Sequence, residues 1–256
     1  MLTKENYKKY KISRTGIKVT SYERINTGRR KRAEENPLPA QPMTEEELDT
    51  AYRYRQRAKR EHLLCLADVN FAVASSVFVT LTFRENLQDY DLAVKEFKLF
   101  TKRLRRKLDD LLYIATIETQ QRGAYHFHMM VNCESVQFVL DNLVQCWHNG
   151  VVDVQVVEDT KSVMLYITKD MVCQGRNHPL YGKRCYFLSQ GLVQYDTVTT
   201  WNSTMAEVRE VESLLQNKRP IRSNTVNSTK AGLTEYADYR FSTDWYQMPV
   251  VAKLKT

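Results

Sequence analysis

Residues 118–128 read Glu118-Thr-Gln-Gln-Arg-Gly-Ala-Tyr-His126-Phe-His128. In an extended segment side chains alternate between faces, so His126 and His128 point one way while Phe127, Met129 and Val131 point into a core. With Gln121-Arg122-Gly123 as a three-residue loop and Gly123 in the left-handed position, Glu118 faces His126 across a β-hairpin. Two imidazoles and a carboxylate then converge, with positions left open for water and substrate. Such an open N/O set suits a divalent ion that does chemistry, whereas a closed structural zinc site wants four ligands, usually with cysteines. The alternative is a pair of strand histidines that hydrogen-bond at a sheet surface.

The segments around the hairpin have a regular rhythm. Val77, Val79, Leu81 and Phe83 alternate with threonines, which predicts a strand. Over residues 91–108, Phe97, Phe100, Leu104 and Leu108 recur at helical spacing, with Lys98, Lys102, Arg105 and Arg106 around the remaining surface. Strands are expected at 112–118 and 124–132, then a helix capped by Ser135 that turns Val136, Val139, Leu140, Leu143 and Trp147 inward. Asn149-Gly150 ends it, and a valine-rich strand over 151–157 leads through Asp159 and Thr160 into a helix of about residues 161–172. The order β-α-β-β-α-β-α predicts an α+β fold, a ferredoxin-like antiparallel sheet with one extra helix.

That extra helix carries Tyr166, Lys169 and Asp170 at i, i+3 and i+4, one helical face. A tyrosine hydroxyl is a poor nucleophile at its ordinary pKa of about 10, and an adjacent ammonium or metal ion favours the phenolate. The plainer alternative is a half-buried ring beside a solvent-facing charge.

The ends of the chain are less regular. Residues 1–43 are basic and polar, with Arg29-Arg30-Lys31-Arg32 followed by Pro37, Pro39 and Pro42, and read as an arm and linker. Thr44-Glu-Glu-Glu47 opens a basic helix over residues 44–66, either a solvated face or a strut that grips a nucleic-acid backbone. Residues 67–192 hold the β-α core, and 193–256 form a C-terminal extension. Within the extension Thr204 caps a helix to about Gln216, and 233–245 alternates as one or two strands.

Composition frames the function classes. The chain has 256 residues, 43% hydrophobic, and a net charge of +8, enough for a real core and disposed toward a polyanionic partner. No apolar run approaches a membrane span, and the first residues lack the apolar centre of a signal peptide, so a cytoplasmic location is expected. Five separated cysteines without a C-x-x-C are expected to be reduced thiols. No G-x-x-x-x-G-K-[ST] is present, so a helicase motor is excluded.

Phe78-Val-Thr-Leu-Thr-Phe83, His126-Phe127-His128 and Tyr166-Ile-Thr-Lys169 together resemble the three ordered motifs of the HUH endonucleases, specifically rolling-circle replication initiators of plasmids and small single-stranded DNA phages. Glu118 matches an extra acidic ligand of some viral relatives, and Asp170 resembles an acidic residue that follows the motif lysine in some members. Asn70 and Tyr181-Gly-Lys-Arg-Cys-Tyr-Phe-Leu-Ser-Gln-Gly-Leu192 also look like phage-type initiators. The resemblance covers roughly residues 65–192.

It implies Mg²⁺ or Mn²⁺ held by His126, His128 and Glu118, with Asp170 as a further ligand. Tyr166 is implied as the nucleophile, and Lys169 as the group that positions it, activates it or neutralises charge on phosphorus. Lys98, Lys102, Arg105, Arg106 and Arg122 are the expected DNA contacts. The implied substrate is single-stranded DNA at an origin hairpin, with a host helicase and polymerase as partners. With one motif tyrosine, a second cleavage needs a second protomer, the favoured choice, another tyrosine such as Tyr181, or an activated water; the plainer reading of Tyr181 and Tyr186 is packing. Two rivals stand beside this: a relaxase or transposase of the same superfamily, and a non-catalytic single-stranded nucleic-acid-binding module.

Overall fold

The structure, a computed structural model, describes residues 7–23, 42–133, 135–173, 175, 177–228 and 232–241. The Arg29–Arg32 cluster, Pro37, Pro39 and residues 242–245 lie outside the described residues. The chain divides into two compact units, Met43–Val193 and Met1–Pro42 with Gln194–Thr256.

Residues 7–22 correct the expectation of a basic arm. They form a hairpin of β1 (Tyr7–Ser13) and β2 (Gly16–Tyr22). Tyr10, Ile12, Ile17 and Val19 are buried on one face, while Lys9, Lys11 and Lys18 alternate with them. The lysines made a period-two strand pattern look like a charge run.

In the central unit, α1 (Glu45–Asn70) starts at Thr44, whose side chain and that of Glu47 close a reciprocal capping box. It runs past the expected end at Leu66 and stops at Phe71, where the backbone turns extended. After a 3-10 turn come β3 (Ser76–Phe83), α2 (Tyr90–Arg105), β4 (Tyr113–Thr119), β5 (Tyr125–Asn132), α3 (Val136–Cys146), β6 (Gly150–Val156), α4 (Thr160–Ile167), α5 (Lys169–Cys173) and β7 (Tyr186–Leu188). Their sheet has the order β6-β3-β5-β4-β7, antiparallel at every pairing.

Alternation assigns the two faces of this sheet. Leu81 pairs with Phe127 and Val79 with Met129 on one face, and the Phe97 ring of α2 stacks on Phe127 at 4.2 Å between centroids. These side chains belong to one buried apolar cluster that also takes in Phe100, Leu104, Val139 and Leu143. On the opposite face lie Thr80, Thr116, Glu118, His126 and His128, and α4 packs there, tied by Thr116 Oγ1 donating to the Ile167 carbonyl at 2.7 Å. Helix α1 packs in turn on α4 and α5.

Two details depart from the sequence reading. Val136, expected inward, is 42% exposed because it opens α3 beside the Ser135 cap, one turn before the buried Val139. The single helix expected over 161–172 is broken at Thr168 (φ −106°, ψ 7°) into α4 and α5. The Thr168 hydroxyl donates back to the Met164 carbonyl, the local competition through which threonine bends helices.

The second unit adds β8 (Asp196–Thr199), α6 (Met205–Leu215), β9 (Arg222–Ser228) and β10 (Gly232–Arg240) to the N-terminal hairpin. The sheet order is β8-β1-β2-β10-β9, a second five-stranded antiparallel sheet. Helix α6 begins with a Thr204–Glu207 capping box, and its Val208 and Val211 pack on Tyr10, Ile12, Ile17 and Val198. Tyr10 donates its hydroxyl to Glu212 at 2.8 Å; burial pushes the phenol's pKa up and the carboxylate adds to that. A β-carbon on Gly16 would sit 1.9 Å from the Tyr239 carbonyl oxygen, so only glycine lets β2 and β10 meet here. No helix among the described residues is long and apolar enough to cross a membrane.

Candidate metal centre

The β4–β5 turn sets the site. Gly123 has φ +85°, its N–H donates to the Gln120 carbonyl, and the Gln120 N–H donates to that of Ala124. This closes the three-residue loop and fixes the register that places Glu118 opposite His126, with Thr116 opposite His128.

Three donor groups converge as a result. One Glu118 carboxylate oxygen, Oε2, lies 3.0 Å from His128 Nε2 and 3.4 Å from His126 Nε2, and the two Nε2 atoms are 2.9 Å apart. All their ligating atoms fall within 4.8 Å of one another. Both imidazoles are buried, and the His126 Nδ1 atom has no hydrogen-bond partner among the described residues. Thr80 reaches His128 Nδ1 at 3.1 Å, which orients that ring so that Nε2 is the nitrogen presented to the cluster. Sequence reasoning placed the β3 threonines on this face but missed this contact; its only signal was the cross-strand register.

Tyr166 stands over the centre from the last turn of α4. Its ring lies 5.4 Å from that of His128 and edge-on to Phe78 at 5.8 Å, and Phe78 in turn stacks on His128 at 5.5 Å. The residue is 48% exposed, so an apolar wall supports a side chain still open to solvent. Lys169, the first residue of α5, holds its ammonium 4.4 Å from the Tyr166 ring centroid and 3.3 Å from the second Glu118 oxygen. Lys169, just past the helix break, thus touches both the Tyr166 ring and the carboxylate.

The charges are strongly coupled. Burial works to raise the Glu118 pKa, but hydrogen bonds from His126, His128 and Asp170 outweigh it and hold the carboxyl below the usual range. Asp170 moves the other way, to about 6, because it is partly buried and shares a hydrogen bond with the Glu118 charge. Burial lowers the His128 pKa against the pull of Glu118. Burial also opposes the Lys169 charge, yet Glu118 raises its pKa overall. Asp170 lies against Glu118, outside the three-residue donor cluster. His178, with its pKa lowered by burial, also feels the Glu118 charge.

The expected DNA contacts are dispersed. Lys98, Lys102, Arg105 and Arg106 sit on α2 and its C-terminal cap, on the sheet face opposite the histidines. Arg105 donates to Gln190 at 3.2 Å. Helical periodicity shows that α2 is amphipathic but not which sheet face it covers, and the face it covers is the one opposite the histidines. Arg122 is at the tip of the β4–β5 hairpin, donating to Gln120 at 2.9 Å. The Arg-rich α1 is the basic helix on the site's side, and its Arg60 reaches α4.

Three softer candidates make contacts within the central unit. Tyr181 packs its ring, tilted by 35°, on the buried Tyr52 with centroids 4.3 Å apart. Tyr186 pairs with Thr116 on β7. Asn70 exchanges side-chain hydrogen bonds with the Val193 backbone at 2.8 Å in both directions.

Residues 76–172 match the family model described as Replication-associated protein ORF2, a span from the start of β3 into α5 and less than half of the chain. The match supports a replication-associated protein of the rolling-circle initiator kind. No curated protein matches the chain. A solved structure, that of an unknown protein from Galdieria sulphuraria, aligns at 9% identity over 70% of this chain and 91% of the other, with a TM-score of 0.23.

Proposed function

We propose that the central unit is a metal-dependent DNA nicking and joining enzyme of the HUH type that initiates rolling-circle replication. The observation that carries this reading is the convergence of Glu118, His126 and His128 beneath Tyr166 and Lys169. The strand order supports it: β3-α2-β4-β5-α3-β6 with the fourth strand beside the first is the ferredoxin-like arrangement. The match over residues 76–172 to replication-associated proteins points the same way.

The donor set fits a divalent ion. Two imidazole nitrogens and one carboxylate oxygen face one another, and Thr80 orients the nearer ring as an outer partner does in metal sites. His126, His128 and Glu118 would hold Mg²⁺ or Mn²⁺, with Asp170 as an outer carboxylate behind Glu118. An ion held there would supply Lewis-acid withdrawal of charge from the scissile phosphate.

Tyr166 attacks the phosphorus in line. Its oxygen forms the new ester bond, the bond from phosphorus to the 3′-oxygen breaks, and that oxygen leaves as a 3′-hydroxyl after gaining a proton; the phenol proton passes to solvent. One phosphoester replaces another, so rejoining needs no ATP. Lys169 stands over the phenol ring and on Glu118, which favours its positioning Tyr166 and offsetting charge near the phosphate. The half-exposed Tyr166 suits a flexible single strand, such as the loop of an origin hairpin. A polymerase extends the 3′-hydroxyl, a host helicase separates strands, and a second protomer supplies the tyrosine for the closing cleavage.

The test is incubation of the purified chain with single-stranded oligonucleotides tiling its own replicon, with Mn²⁺ or EDTA, scored for a protein–DNA band that survives boiling in SDS. A metal-dependent adduct that disappears in Tyr166→Phe while oligonucleotide binding persists is expected. Binding without any adduct in the parent chain overturns the nicking reading.

A further inference from the structure

The break between α4 and α5 leaves backbone carbonyls without intrahelical partners, as every helix end does. Two of them are taken up by side chains from elsewhere in the central unit. Arg60 of α1 donates from Nη2 to the Leu165 carbonyl at 3.3 Å and from Nε to Thr168 Oγ1 at 3.2 Å. Thr116 of β4 donates to the Ile167 carbonyl at 2.7 Å. The residues gripped, Leu165, Ile167 and Thr168, flank Tyr166 and precede Lys169. A guanidinium also suits the negative end of α4, where an ammonium could make the charge contact but not the forked pair.

We propose that Arg60 is a positioning residue for the nucleophile: it clamps the α4–α5 junction so that the Lys169 ammonium stays over the Tyr166 ring and on Glu118. This rests on the assignment of Tyr166 as nucleophile. The physical case is one of alternatives. Thr168 is the only residue between two short helices, and small changes in its dihedral angles swing α5 against α4. Thr116 fixes the junction to the sheet and Arg60 fixes it to α1. With Arg60 removed, the Leu165 carbonyl and Thr168 hydroxyl can be satisfied by water in several geometries, and the Tyr166–Lys169 pairing becomes one arrangement among others. Arg60 contacts neither the donor cluster nor Tyr166's ring through any of these bonds, so its loss should spare metal and DNA binding.

The test compares parent, Arg60→Ala, Arg60→Lys and Thr168→Val chains in single-turnover adduct formation with saturating Mn²⁺ and oligonucleotide, alongside Mn²⁺ titration and oligonucleotide binding. Arg60→Ala is expected to slow adduct formation by about 100-fold, the scale of a displaced reacting group, with both affinities unchanged. Arg60→Lys should recover little of the rate, Thr168→Val should lose part of it, and added guanidinium ion should restore Arg60→Ala where equal sodium chloride does not. An unchanged rate in Arg60→Ala overturns the proposal, as does a fall in Mn²⁺ affinity equal to the fall in rate, which would make Arg60 a scaffold residue. If Arg60→Ala does not fold, Arg60→Lys and Thr168→Val decide, and parent-like rates in both overturn it. Absence of an adduct in the parent chain instead defeats the nicking assignment itself.

Discussion

One carboxylate, Glu118, meets His126, His128, Lys169 and Asp170, and its crowding gives the site a defined pH dependence. Asp170 in the fold titrates at about 6 against an ordinary 3.8, so its preference for the proton adds stability below the lower value, and that contribution is lost as pH rises through about 6. His128 has its pKa lowered by burial, so it is already neutral and able to ligate below its ordinary range near 6.5. Both signs predict the same outcome for metal. Mn²⁺ affinity measured by calorimetry should rise from pH 5 to pH 7, about the interval in which these groups lose protons, and level off above it. Asp170→Asn should flatten the part of that rise centred at about 6. At this scale much of the site was readable. His126 and His128 share a face by simple alternation, and a single glycine fixed the position of Glu118. Arg60 was not readable as a partner of the tyrosine helix, because its bond to Thr168 spans 108 positions and no periodicity encodes it.

Among the elements, the β4–β5 turn governs the metal cluster. Gly123 at φ +85° is where a side chain is costly, about 1 to 2 kcal/mol for an L-residue in that region. Gly123→Ala should lower the midpoint of thermal unfolding and weaken Mn²⁺ binding together, since relaxing the turn shifts Glu118 against His126; lower stability at unchanged affinity would show that the strands hold register without it. Elements with one dominant period were legible, including β3, α2 and the Thr44 and Thr204 caps. Two things were not. Periodicity marks the apolar side of α2 but not the sheet face that receives it, and the run through Thr168 reads as continuous helix because back-bonding by one threonine leaves the apolar spacing intact.

Over the whole molecule, the two units have separate apolar clusters, one around Phe97 and Phe127 and one around Tyr10 and Ile17. A fragment of Met43–Val193 should therefore fold and bind Mn²⁺ with the affinity of the full chain, as followed by circular dichroism and calorimetry. Failure of that fragment to fold would make the two clusters one cooperative system. The second sheet escaped the sequence reading because its strands come from both ends of the chain, and lysines and polar residues dilute each one's pattern.

That split sheet also orders events during synthesis. The hairpin of β1 and β2 leaves the ribosome well before its neighbours β8 and β10, which follow only after the whole of Met43–Val193. For that interval the nascent chain carries two open strand edges, a template for pairing with other chains. Lys8, Lys9, Lys11 and Lys18, which hid the strands from view, put charge of one sign along that hairpin, and such charge disfavours its pairing with another copy.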